Sequence, residues 1–192
     1  MVSKMIVVLE GIDNSGKTYQ ANELKRILER QGTEVNINKE FFSKIRGVMT
    51  KMVNDGRIPS VVQKILEIKV VGHESKNCNW PPRELIIIDR FIHTVLAYAK
   101  VNDYYMNLCE TLKRYRLYDL AIYVDITADE ALERSRIAND NMDYSWDYLN
   151  SARMNYLKFV KSDGLKLLDG MRSKEEVTES LIALIKDHFN HH

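Results

Sequence analysis

Cysteine is almost missing from this chain: two in 192 residues, Cys78 and Cys109. They show no metal-ligand spacing and are too few for a disulfide framework, which places the chain in a reducing compartment, read here as the cytoplasm. An excess of one charge is missing too. Lys and Arg total 28 against 27 for Asp and Glu, a balance that excludes a general nucleic-acid or polyanion binder and leaves room only for a local basic pocket. No apolar run approaches the length needed to span a bilayer, so no membrane partner is expected. The opening MVSKMIVVLEG runs directly into a strand without the cleavage signature of a signal peptide. Internal repeats and low-complexity segments are absent. His191 and His192, in a terminal HFNHH that reads equally as a helix end or a tag remnant, carry no part of the functional reading.

What is present is a hydrophobic content of 45%, enough for one compact domain over residues 1–192 with a real core. Apolar runs at 34–38, 84–89, 119–126 and 164–169 follow the first at Met5–Glu10. These runs are continuous rather than alternating, as in parallel strands covered on both faces. Helical stretches separate them. The first begins at Lys17 and stops at Gly32; two others open on Thr127 with Glu130 and on Ser173 with Glu176, the spacing of a capping box. Strand–helix alternation predicts an α/β fold: a parallel five-stranded sheet with helices on both faces. Ligands of such sheets sit beyond the carboxyl ends of the strands, here after Glu10, Asp89 and Asp125.

The segment Gly11-Ile12-Asp13-Asn14-Ser15-Gly16-Lys17-Thr18 fits G-x-x-x-x-G-K-[ST] between a strand and a helix. A chance match in a chain this long has odds of about one in a hundred. The glycines let the backbone curl into a ring of N–H donors for phosphate oxygens, and the following helix adds its positive end. Lys17 can reach the terminal phosphates of a bound nucleotide and the Thr18 hydroxyl can ligate Mg²⁺. Asp89, after four apolar residues, has the Walker-B position for the same ion, against a plain strand stop. Arg90 stands at the ligand edge of the sheet, where a guanidinium can grip phosphate through two parallel bonds or form a surface salt bridge. No Asn-Lys-x-Asp guanine signature is found, and the chain has no room for a coupling domain. Small kinases therefore fit better than GTPases or motors.

With these motifs in view, the chain resembles the thymidylate kinases, from Met5 to about Ile185. EGIDNSGKTYQ is similar to that family's Glu-Gly-x-Asp-x-x-Gly-Lys-x-x-Gln, and DRFIHTVLAY to its Asp-Arg-aromatic, Ser, Ala-Tyr segment. YDLAIYVDITADEALERSR, ARMNYLKF and LDGMRSKEEV resemble its later strands and helices. The resemblance implies a P-loop kinase fold, a homodimer, and transfer of the ATP γ-phosphoryl group to dTMP with Mg²⁺. It implies that Gly11, Asp13, Asn14, Ser15, Gly16, Lys17, Thr18 and Arg172 bind ATP, and that Asp13, Glu40, Lys69, Arg90, Thr94 and Tyr98 meet the acceptor. Lys17, Asp89, Arg90, Arg134 and Arg136 would serve transfer, and Thr18 and Asp89 the metal. A lid is expected over about 134–150. Residues two apart do not share one helix face, so Arg134 and Arg136 both reach phosphate only if the helix breaks near Ile137.

The chain departs from the family around the acceptor base. Lys39-Glu40-Phe41-Phe42 stands where Arg-Glu-Pro-Gly-Gly is usual. The candidate helix at 60–76 offers Lys69 in place of an arginine and no stacking phenylalanine, and Ala99 replaces a glutamine. A kinase of another nucleoside monophosphate or of a deoxynucleoside, or a nucleotide-binding regulator that has lost transfer, stays open on these grounds. Arg153 falls on an apolar stripe of Trp146, Leu149, Tyr156 and Val160. It should find a structural anionic partner, or reach a phosphate in the lid.

Overall fold

Five short apolar runs lie side by side in register. Strand β1 (Met5–Glu10) pairs with β3 (Leu85–Asp89) on one side and β4 (Leu120–Asp125) on the other, while β2 (Val35–Asn38) and β5 (Lys166–Asp169) form the edges. All four pairings are parallel and give the order β2-β3-β1-β4-β5. The computed structural model describes residues 5–38, 51, 55–56, 85–98, 118–140 and 144–191. Helices are α1 (Lys17–Arg30), α2 (Ile92–Tyr98), α3 (Ala128–Ile137), α4 (Trp146–Asp163) and α5 (Lys174–His191). None of the helices described is long and apolar enough to cross a membrane.

Alternate residues of the central strands feed two cores. Val7, Leu9, Ile87, Ile122 and Val124 pack under α1 and α5 with Leu24, Leu28, Val177 and Leu181. Val8, Ile86, Ile88 and Tyr123 pack under α2, α3 and α4 with Leu96, Ala131, Leu149 and Tyr156. The α/β sheet with helices on both faces expected from the sequence is thus the fold observed. The edge strand β5 differs from its reading as a strand covered on both faces. Leu168 is buried, but Leu167 is 52% exposed. Similarly, the apolar stripe of α4 begins at Leu149, because Trp146 at the first helical position stays largely exposed.

Caps show how local sequence sets the helix starts. Thr127 accepts from the Glu130 amide and Ser145 from the Tyr148 amide. Ser173 and Glu176 exchange bonds reciprocally. Helix α1 has no such device. Its N-cap is Gly16, with φ 88° and no side-chain cap, and its first turn holds no acidic residue. Its first amides therefore remain available for an outside anion.

Register decides where the chemistry lies. Leu9 lies opposite Asp89 on β3 and Ile122 on β4, so Gly11, Arg90 and Ile126 leave the sheet at one edge. The Arg90 amide extends this ladder by donating to the Leu9 carbonyl at 3.0 Å. Gly11 turns so close to β4 that a Cβ would lie 2.7 Å from the Val124 carbonyl oxygen. Gly11→Ala should therefore destabilise the fold by about 1–3 kcal/mol, seen as a lower urea midpoint with an unchanged slope.

Candidate active site

Beyond the ends of β1 and β3 lies a cleft of about 600 Å³, floored by residues 13–18 and walled by Arg90, Arg134, Gly170 and Arg172. The loop that floors it is wound by its own contacts. Asn14 adopts a left-handed φ of 60° and donates from its amide side chain to the Ala131 carbonyl at 3.1 Å. Lys17 is buried and donates to the Ile12 carbonyl at 2.7 Å and to Ser15 Oγ at 2.8 Å. Burial pulls the Lys17 ammonium down to about 7, and the nearby Arg90 charge adds to this. Asp89, Asp13 and Glu10 oppose the drop without cancelling it. A cation so poorly solvated is primed to accept a polyanion.

Thr18 donates its hydroxyl proton to Asp89 Oδ2 at 2.5 Å. The other Asp89 oxygen, Oδ1, is buried without a hydrogen-bond partner. A carboxylate oxygen orphaned beside the phosphate loop and paired with a hydroxyl suits a hard divalent cation with oxygen ligands. Among the described residues there is no group of three or more His, Cys, Asp or Glu side chains arranged to hold a metal. The protein would thus supply two ligands, leaving phosphate and water to complete the shell, the habit of Mg²⁺.

Arg90 is backbone-strained, with φ 72° on a non-glycine residue. Its guanidinium pairs with Asp13 and donates to the Gly11 carbonyl at 3.3 Å. Burial works against its charge, but Asp13 and the surrounding oxygens outweigh that and raise its pKa. Asp13 also accepts from the Tyr98 hydroxyl at 2.6 Å, and the same hydroxyl takes the Asp13 amide at 2.9 Å. Burial beside Asp13 pushes the Tyr98 phenol well above its ordinary value, so it stays protonated.

The two arginines of α3 part company. The helix ends at Ile137, where a break was expected, with Ala138 as its C-cap and a left-handed Asn139 (φ 51°) after it, but both arginines lie inside it. Arg134 keeps its Nε on Glu130 at 2.7 Å while its terminal nitrogens reach the Asn14 carbonyl at 3.3 Å and the Gly170 carbonyl at 3.0 Å. Arg136 pairs instead with Glu133, its side chain 74% exposed, on another face of the helix and outside the cleft lining. Arg172 lines the cleft and sits 3.4 Å from Asp169. Thr94 is buried, its hydroxyl committed to Glu10 at 2.6 Å and to Tyr156 at 2.8 Å, and it does not line the cleft. Glu40, Lys69 and Ala99 lie outside the described residues, as do positions 141–143 of the expected lid. Arg153 finds its anion in Asp125, bound through two nitrogens at 2.8 Å each.

Glu10 was missed as a functional position. Wholly buried, it accepts from the Phe91 amide at 3.0 Å, the His93 amide at 3.2 Å, Thr94 and the Tyr156 hydroxyl at 3.1 Å. The available signal was an ionisable side chain ending an apolar strand, a place that burial forbids without partners.

The family model for thymidylate kinase matches residues 9–181, a stretch that contains both the loop and the Asp89-Arg90 turn. The chain belongs to the thymidylate kinase family. It is 32% identical to a protein described as "Probable thymidylate kinase" from Pyrococcus abyssi, over 94% of this chain and 95% of that one. A protein of the same description from Metallosphaera sedula is 29% identical, over 94% and 92%. One from Methanocaldococcus jannaschii is 25% identical, over 97% and 98%. The similarity thus runs the length of the family's fold rather than over the phosphate loop alone.

A bound triphosphate must raise the depressed pKa of Lys17, so binding should take up protons near pH 7 and above. Between pH 7 and 9, affinity for ATP should fall as pH rises, by up to about tenfold per unit. Calorimetry in buffers of different ionisation enthalpy measures the uptake, and Lys17→Met should remove it.

Proposed function

We propose that this chain transfers the γ-phosphoryl group of ATP to dTMP, giving ADP and dTDP. The observation that carries this is the meeting, in one cleft, of an uncapped helix start, a buried lysine and a phosphate-ready Arg90, with a half-satisfied Asp89 bonded to Thr18 of the same cleft. Family membership supports thymidylate as the acceptor.

In this reading the amides of residues 11–18 and the positive end of α1 cradle the ATP phosphates. Lys17 leaves its carbonyl and hydroxyl partners for the β- and γ-phosphates. Thr18 and Asp89 hold Mg²⁺, which supplies neutralisation of phosphate charge. Arg90 grips the acceptor phosphate and aligns it, its orientation maintained by Asp13. Asp13 and Tyr98 together face the acceptor sugar. Arg134, already tied to the loop through Asn14, brings positive charge to the transferring group, and Arg172 borders the adenine end. Thr94 supports the acceptor side from behind through Glu10. Transfer needs no covalent intermediate: alignment and stabilisation of spreading charge do the chemistry. The lid over about 134–150, acceptor roles for Glu40 and Lys69, a role for Arg136 on lid closure, a cytoplasmic setting and a homodimer belong to the same proposal.

A second reading keeps this phosphate chemistry but changes the acceptor base. The departures at Phe41-Phe42, Lys69 and Ala99 favour it. Initial rates with ATP, Mg²⁺ and a panel of nucleoside monophosphates separate the two: dTMP should be the best acceptor, and turnover of another base with none of dTMP overturns the first. Lys17→Ala should lower kcat by about a thousandfold or more. Asp89→Ala should abolish the dependence of rate on Mg²⁺. Arg90→Ala should raise the acceptor KM by about ten- to a hundredfold and leave ATP binding nearly intact. Wild-type activity in any of the three would place the site elsewhere.

A further inference from the structure

Behind the cleft lies an ionic cluster that the transfer chemistry leaves unused. His93, on α2, is 3% exposed. Its Nε2 lies 3.3 Å from Asp163 Oδ2, at the far end of α4, and its Nδ1 lies 3.7 Å from Glu10 Oε1, at the end of β1. Nδ1 has no hydrogen-bond partner at this distance. The rings of Tyr118, ahead of β4, and Phe159, on α4, wall the imidazole in. Among the described residues, the groups facing it are thus Glu10 from β1, Asp163 and Phe159 from α4, and Tyr118, while Tyr156 and Thr94 bond the other oxygen of Glu10.

The same Glu10 oxygen that faces the ring also accepts the amides of Phe91 and His93. Phe91 follows Arg90, whose left-handed backbone is a conformation that persists only when its surroundings over-determine it. One constraint is the Leu9 carbonyl on the Arg90 amide; the other is Glu10 on the next amide along. We propose that His93 is a positioning residue for the acceptor-side arginine: clamped between Glu10 and Asp163, its ring steadies the carboxylate that fixes the backbone on which Arg90 stands. This rests on the phosphate-gripping role proposed for Arg90.

Charge supports the geometry. Burial disfavours a protonated ring, but Asp163 and Glu10 outweigh it and raise the His93 pKa. Burial likewise opposes ionisation of Glu10, and His93, Thr94 and the Phe91 amide outweigh that and lower it. The pair therefore contributes its full stability between the ordinary carboxylate value of about 4.5 and the ordinary histidine value of about 6.5. That contribution is lost as pH rises through the raised value. Above that pH Glu10 and Asp163 face a neutral ring.

The test compares wild type with His93→Gln and Asp163→Asn from pH 5.5 to 8.5. With whichever nucleoside monophosphate is turned over, His93→Gln should raise the acceptor KM about tenfold and the ATP KM by less than about twofold. The wild-type-to-variant ratio of acceptor KM, in which ionisation of the substrate cancels, should follow the titration of His93. Asp163→Asn should keep the fold and move that titration to lower pH. Independently of any turnover, the Nε–H resonance of Arg90 in the ligand-free protein should shift with His93 titration and cease to do so in His93→Gln. Failure of every acceptor would refute the proposed function, while the Arg90 resonance would still decide this inference. An Arg90 resonance indifferent to His93, or equal losses for both nucleotides, overturns it; if His93→Gln does not fold, the same readouts on Asp163→Asn decide.

Discussion

Pairing of β1 with β3 is the constraint from which the rest of the molecule follows. Both strands are continuous apolar runs, and both end on a carboxylate, Glu10 and Asp89. Parallel register brings the two ends to one edge, and the chain then does different work at each. Glu10 turns inward and gathers the amides of the neighbouring turn; Asp89 turns toward the loop and keeps an oxygen in reserve. Had the register slipped by one residue, each strand's side chains would have exchanged faces, and both cores would have failed with the site.

The two faces of the sheet divide the labour. The α1–α5 side carries the nucleotide loop and is tied together by Gln20, whose side chain bonds both the Lys174 carbonyl and Thr178 across to α5. The α2–α4 side carries Arg90 and Tyr98. There, polar groups run from Asp125 through Tyr123 to the stacked ring of Tyr156, whose hydroxyl meets Glu10. Buried polar groups are costly unless satisfied, so a chain of this kind makes the arrangement of that face unique. Donor and acceptor ends of the cleft are therefore held by separate packing units that meet at residues 10–13.

Much of this could be read from the residues alone. The continuous runs announced parallel strands, and the Ser173–Glu176 spacing announced a cap that the fold contains. The loop and the Asp89-Arg90 pair could be placed at one sheet edge because strand ends define that edge. Edge strands were harder: nothing in Leu167 itself says that its strand has a neighbour on one side only. Arg134 and Arg136 look alike in sequence, and the uninterrupted helix separates them, one beside the loop and the other beside Glu133. Glu10, His93 and Asp163 lie 70 or more residues apart in all three of their pairings. Their association depends on how β1, α2 and α4 converge, which no local pattern encodes. Arg153 was readable in kind, as a cation needing a partner, but Asp125 is 28 residues away and emerged only with the fold.

Of the four longer helices among the described residues, three begin with a hydroxyl side chain that closes off their first amides, and α1 does not. The beginning of that helix is finished only by a guest. Whatever anion settles there lends its binding energy to the native state, since a species that prefers the folded chain shifts the equilibrium toward it. Scarcity of nucleotide would then leave the protein in its least stable form.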